Sequence, residues 1–155
     1  MKMQLGNLKI SSPAFVHSGR IPTTYSADGE GYSPELRFSS VPAEAKELVL
    51  ICHDPDAPMT YGFTHWVLYG IAPDVKGLAE NCGDLYTAGV NELGNPGWVP
   101  PSPPPGHGEH FYYFQLFALD KKMQLDSGLS RAALLDKIDE HILEQARLVG
   151  IYSRQ

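Results

Sequence analysis

The chain has 155 residues, 43% hydrophobic and 19% charged, with a formal net charge of -6, a composition that excludes disordered and collagen-like classes. A length of this order fits a single domain over residues 1–155, burying about two-thirds of its unfolded surface. Because the only closely spaced basic pair is Lys121-Lys122, nucleic acid is not an expected partner, and any anion site has to rely on local donors.

Met1 to Ile10 holds two lysines but neither an apolar run of signal-peptide length nor a small-residue cleavage pattern, and so reads as mature sequence. No stretch approaches the roughly 20 apolar residues of a membrane span. Leu8 to Ile10 and Glu35 to Ser39 are short strand candidates. Lys46 to Asp54 (KELVLICHD) is an aliphatic run stopped by the proline punctuation of Asp54-Pro55-Asp56-Ala57-Pro58, and predicts a central strand. Cys52 lies inside that strand and Cys82 has no Cys-x-x-Cys partner, so free thiols and a cytoplasmic location are expected.

Thr64 to Ile71 (THWVLYGI) predicts a second buried strand, in which strict alternation puts His65, Val67, Tyr69 and Ile71 on one face. Asn91 to Gly108 is too rich in proline and glycine for sheet interior and predicts a long, stiff loop. His110 to Leu119 (HFYYFQLFAL) predicts a third buried strand, with His110 and Tyr112 opening one face. Leu134, Ile138, Ile142 and Ala146 recur every four residues, which predicts a helix over Arg131 to Ala146, capped by Ser130 and stapled by Leu129 against Leu134. Leu148 to Tyr152 closes as a weaker strand. Strands that do not alternate with helices indicate a mainly β, antiparallel architecture with a late C-terminal helix.

Four of the six histidines, His53, His65, His107 and His110, fall between the second half of the chain's first long strand and the start of its third. If the three strands are neighbours, with the second antiparallel to the first, Asp54, His65, His110 and Tyr112 meet at one sheet edge. The proline loop would wall that pocket, the N–H groups of Gly106 and Gly108 would point into it, and Asp54 would fix a histidine tautomer. Each signal has a plainer reading: a histidine at a strand end is commonly a satisfied polar residue, and DPDAP is also a turn. His53 is expected to project away from Asp54 and to be structural, His17 and His141 to sit at the surface. His107 is left open.

In this order, Asp54-Pro55-Asp56-Ala57-Pro58, His65-Trp66-Val67, Asn91-Glu92-Leu93-Gly94 and Pro103-Pro104-Pro105-Gly106-His107-Gly108-Glu109-His110-Phe111-Tyr112 resemble the phosphatidylethanolamine-binding protein (PEBP) family, above all its prokaryotic Raf-kinase-inhibitor-like branch. The resemblance covers most of the chain. It implies two packed antiparallel sheets and a small anion pocket for phosphate-like head groups, formed here by Asp54, Asp56, His65, Pro104, Gly108, His110 and Tyr112. It also implies a binding or inhibitory module rather than an enzyme, with relatives that act on kinases or proteases. Phe111 stands where the family usually has a basic residue, and Ser102 where glycine or cysteine is common; the lost charge should weaken phosphate affinity.

The expected function is therefore binding of a small anionic ligand, with a protein partner such as a kinase or protease, or a second copy of the chain as a homodimer, as further partners. No cofactor is expected. The alternative is a metal-dependent hydrolase using His65, His110 and Asp54, since two histidines and a carboxylate are a known zinc set, although no HExxH helix accompanies them. A third reading makes the stiff proline loop the contact surface of a protein inhibitor. Serine-nucleophile chemistry lacks a G-x-S-x-G elbow.

Overall fold

A computed structural model describes residues 4–155; Met1 to Met3, where the segment read as mature sequence begins, lie outside the described residues. The chain forms β1 (Lys9–Ser11), β2 (Gly19–Arg20), β3 (Leu36–Ser39), β4 (Glu47–Asp54), β5 (Phe63–Ile71), β6 (Gly77–Leu78), β7 (Thr87–Ala88), β8 (His110–Leu119), α1 (Arg131–Ile138) and β9 (Ile142–Tyr152). Six strands pair in the order β2-β9-β8-β4-β5-β7, and β1-β3-β6 make a second, smaller sheet. The expected β architecture, with antiparallel pairing among the three long hydrophobic strands, is what forms. One short contact is parallel, Gly19 and Arg20 of β2 against Gly150 and Ile151 of β9.

β4 is buried along its whole length because both faces of the large sheet are covered. Leu48, Leu50 and Cys52 join Leu68, Phe114 and Leu116 in a core shared with Leu8, Ile10, Leu36 and Phe38 of the small-sheet side. From the other face Val49 and Ile51 join Val67, Tyr69, Phe117 and Leu119, and this second core is closed by Leu134 and Ile138 of α1. Strand alternation thus divides one apolar run between two layers.

The late helix is shorter than its sequence pattern predicts. It ends at Ile138, a single 3-10 turn covers Asp139–His141, and the remainder of the expected helix is the first half of β9. A recurrence of four is also a multiple of two, so Ile142 and Ala146 satisfy one face of a strand as well as one stripe of a helix. Pairing with β8 decides between them: Leu119 faces Ile142 and Leu116 faces Ala146, in a ladder that continues to His110 opposite Tyr152. The helix start follows expectation, with the Ala133 N–H donating to Ser130 Oγ at 3.1 Å and Leu129 packed on the core that holds Leu134.

Residues between β7 and β8 form no helix or strand, as the proline pattern predicts. The loop is nevertheless tied down. Gly89 and Glu92 donate backbone N–H groups to Val67 and Thr64 carbonyls at 2.9 Å each, and Val99 donates to the His65 carbonyl at 2.9 Å. It lies along β5 as a wall. Cys52 and Cys82 are both free, and no helix among the described residues is long and apolar enough to cross a membrane.

Gly150, opposite Tyr112 on β8, shows how closely the layers approach there. A Cβ on it would come within 2.5 Å of Ile21 Cγ1 and 2.9 Å of Phe15 Cε2. Gly150→Ala is expected to lower unfolding free energy by about 1–3 kcal/mol, the usual cost of overpacking, as read by urea denaturation followed by tryptophan fluorescence. An unchanged midpoint would show that Ile21 and Phe15 yield freely.

Candidate functional site

β4 and β5 are antiparallel and β8 is antiparallel to β4, so the end of β4 and the starts of β5 and β8 share one edge of the large sheet. At that edge lies a cleft of about 180 Å³. Asp54, His65, Pro104, His110 and Tyr112, all named as site residues from the sequence, line it. Asp56 and Gly108 do not. Asp56 braces the edge from outside: its N–H donates to Asp54 Oδ1 at 2.7 Å, closing an Asx turn, and its Oδ2 accepts from the Phe111 N–H at 2.9 Å.

Asp54 and His110 are buried to within a few per cent of complete exclusion. The His110 Nδ1–H donates to Asp54 Oδ2 at 2.7 Å, the tautomer-fixing contact that the sequence suggested. The far nitrogen of His110 is also occupied, because Nε2 lies 2.6 Å from Nδ1 of His107. Asp54, His110 and His107 therefore form one chain of hydrogen bonds from a buried carboxylate to an exposed loop tip. His107, left open by the sequence, does not line the cleft itself but holds the far nitrogen of His110, which does.

The face on which His65 lies is a correction. β5 carries an irregularity against β4, with Cys52 opposite Trp66 but His53 opposite Thr64, so that His65 is the extra residue of a β-bulge. Without it His65 would share the face of Val67 and Tyr69 under α1; with it the ring sits against Tyr112, centroids 5.1 Å apart, and against Phe63 at 4.7 Å. Ile71 departs from the predicted face as well, since a second register shift carries it into the core between the sheets. The His65 Nδ1–H donates to the Val99 carbonyl at 2.6 Å. His53, as expected, points away, with Nδ1 3.1 Å from Thr64 Oγ1.

The Gly106 amide is not turned into the cleft as expected, since its N–H donates to the Arg154 carbonyl at 3.1 Å, and neither Gly106 nor Gly108 is among the lining residues. Phe111 also lies off the cleft, as alternation from His110 and Tyr112 requires, so the basic residue expected at that position would act on the cleft from behind the strand. The sequence reading missed Phe63, Met59, Val99 and Pro100 as lining residues. Phe63 follows from the bulge, and Val99 contributes a backbone carbonyl that no side-chain pattern reveals.

Among the described residues, no Lys or Arg lines the cleft. Burial holds the His65 ring down at about 4, against a partial upward pull from the Val99 carbonyl and the Asp54 charge. It is neutral at pH 7. Burial, reinforced by the nearby Asp54, pushes the Tyr112 phenol well above its ordinary range and keeps it an O–H donor. The zinc set of the alternative reading is not assembled: among the described residues no three His, Cys, Asp or Glu side chains group so as to hold a metal, and both ring nitrogens of His110 are engaged.

These features define a two-sheet β protein with a proline-walled, histidine-lined cleft at one sheet edge. The family profile described as phosphatidylethanolamine-binding protein matches residues 11–153. A UPF0098 protein of Methanothermobacter thermautotrophicus is 42% identical over 95% of this chain and 99% of its own, and one of Chlamydia trachomatis is 40% identical over 95% and 99%. A crystal structure of a PEBP homologue from Chlamydia trachomatis superposes with a TM-score of 0.90 at 39% identity, covering 96% of this chain and 98% of that one. E. coli YbcL also superposes at 0.90, covering 97% and 100%, and its 24% identity speaks to fold alone. The chain belongs to the phosphatidylethanolamine-binding protein family, on its prokaryotic side.

Two measurements check this geometry. Asp54→Ala strips His110 of its carboxylate and is expected to cost about 3 kcal/mol, as for other broken buried pairs, whereas Asp54→Asn should retain most of the fold while ¹⁵N NMR shows His110 changing tautomer. For His65, the folded ring is held near 4 while the unfolded ring takes a proton near 6.5, so the unfolded state binds more protons between those values. Stability conferred by the neutral ring is complete above about 6.5 and is lost as pH falls toward about 4, by on the order of 3 kcal/mol. Urea titrations across that window should show a smaller loss for His65→Phe than for the parent chain; equal losses would remove His65 as the cause.

Proposed function

We propose that this chain is a non-catalytic binding protein whose cleft takes a small oxyanion head group of phosphomonoester type, with an attached apolar portion against the proline wall. The observation that carries the reading is the convergence of Asp54, His65, His110 and Tyr112 on one cleft, rimmed by Phe63, Val99 and Pro104. Imidazole and phenol supply directed polar contacts, and the apolar lining supplies burial. Family membership supports a ligand-binding role, and the family profile and the Chlamydia trachomatis crystal structure are both named for phosphatidylethanolamine binding.

The absence of Lys and Arg from the lining residues favours a ligand of low charge. A dianion would enter a cleft whose buried charge is Asp54, while a monoanion or proton-carrying oxyanion can share its proton with His65 or His110. The exposed stretch from Pro104 to Glu109 stands beside the cleft, and in this reading its occupancy sets how that stretch meets a protein partner such as a kinase or protease. Free thiols fit action in the cytoplasm.

Isothermal titration with phosphoethanolamine and with inorganic phosphate tests the reading. Binding is expected, is expected to strengthen roughly 25-fold from about pH 7.5 to about pH 5.5 as one proton is taken up near the phosphate's own pKa of about 6, and is expected to vanish in His110→Ala. No heat with either ligand at any pH in that range would overturn the proposal.

A further inference from the structure

His110 is the innermost imidazole of the cleft, 2% exposed, and it has only two places at which to meet another group. Its Nδ1–H is held by Asp54 Oδ2 at 2.7 Å. Its Nε2 lies 2.6 Å from Nδ1 of His107, a separation that requires one proton between the two nitrogens and leaves no room for a ligand atom. That nitrogen is therefore occupied by a side chain of the protein itself.

We propose that His107 is the specificity-determining residue of the cleft: a loop-borne imidazole that occupies His110 Nε2 and that a ligand must displace. The inference rests on the ligand-binding reading above and adds a selection rule to it. An uncharged polar group gains nothing by exchanging one neutral hydrogen bond for another. An ionised oxygen gains a charge-assisted bond, about twice as strong. The latch thus discriminates against water and neutral alcohols and in favour of oxyanions, without a Lys or Arg in the cleft.

The backbone around His107 suits an exchangeable group. Gly106 and Gly108 on either side have φ of +74° and +92°, and a Cβ at either would meet nothing within 4 Å. Open space excludes packing as the reason for glycine there, and the left-handed backbone remains. His107 is itself exposed, so leaving His110 returns its ring to water at little desolvation cost. The loop's anchor lies just before it: the His107 N–H donates to the Pro104 carbonyl and the Gly106 N–H to the Arg154 carbonyl, each at 3.1 Å. Pro104 lines the cleft, so the latch is fixed to the wall it guards.

The test titrates phosphoethanolamine into the full chain and into His107→Ala and His107→Phe at one pH. Removing the competing nitrogen should tighten binding about fivefold, the size of one neutral hydrogen bond, and the phenyl ring of His107→Phe, which keeps the bulk, should do the same. ¹⁵N spectra without ligand should show the His110 Nε2 resonance moving in both variants while Nδ1 stays. Unchanged or weaker binding in His107→Ala, a parent-like affinity in His107→Phe, or an unmoved Nε2 resonance overturns the latch while parent binding upholds the ligand-binding reading. If neither parent nor variants bind the probe, that reading falls and the latch with it. Stoichiometric zinc uptake abolished by His107→Ala would also overturn it, since the two nitrogens would then be metal ligands.

Discussion

A carboxylate at 2% exposure inside a sheet is tolerated only where donors share its charge, and the sheet edge that forms the cleft is organised around that requirement at Asp54. One oxygen accepts the Asp56 N–H and turns the chain out of β4; the other accepts the His110 Nδ1–H and ties the start of β8 to the same spot. Pro55 adds a restriction on Asp54's own backbone, favouring extended geometry at the end of the strand. Turn, register and cleft thus depend on two hydrogen bonds to one side chain. Because β8 also pairs with β9 from His110 opposite Tyr152 onward, the placement of that histidine carries through three adjacent strands.

Much of this was legible in the amino-acid order. The run from Glu47 to Asp54 is apolar at both parities, which only a strand covered on both faces permits, and proline punctuation marks its end. His110 and Tyr112 share a face by simple alternation, and both reach the cleft. Where alternation failed, a register shift was responsible. His65 enters the cleft because one extra residue is accommodated opposite β4, and nothing in the string THWVLYGI signals it: no glycine marks the bulge, and both registers bury aromatic and aliphatic side chains. The helix end failed for a different reason. Four-residue spacing is shared by both periods, and the deciding term is the long ladder to β8, which is tertiary.

The loop illustrates the same division. Its composition announced stiffness, and its course along β5 follows from the N–H groups of Glu92 and Val99, which find carbonyl partners on that strand. Its contribution to the site is mostly main chain and therefore silent in sequence. The Val99 carbonyl fixes His65 in the Nδ1–H tautomer, leaving the other nitrogen with a lone pair while the ring is neutral. An expected donor becomes an acceptor. With the occupied nitrogens of His110 and the absence of Lys and Arg from the lining, that reversal leaves the cleft fewer local donors than the sequence suggested.

The chain Asp54–His110–His107 has the outline of a catalytic relay, but the side chains beside it are poorly set to begin covalent chemistry. A relay needs a nucleophile or a poised base beside the reacting atom. Cys52, two residues before Asp54 on the same core face, is wholly buried and its thiol is pushed well above its ordinary range by that burial, with the Asp54 charge adding to the effect. Tyr112 is held in its protonated form by the same two causes. His65, kept near 4 by burial, is a base no stronger than an ordinary carboxylate. Ser102 lines the cleft but comes from a proline-bound loop without the strand-to-helix turn that presents a serine nucleophile. Cys52 and Tyr112 are thus held protonated and His65 weakly basic by burial, and Ser102 lacks the backbone setting of a serine nucleophile, so none of these four is set to begin covalent chemistry at neutral pH.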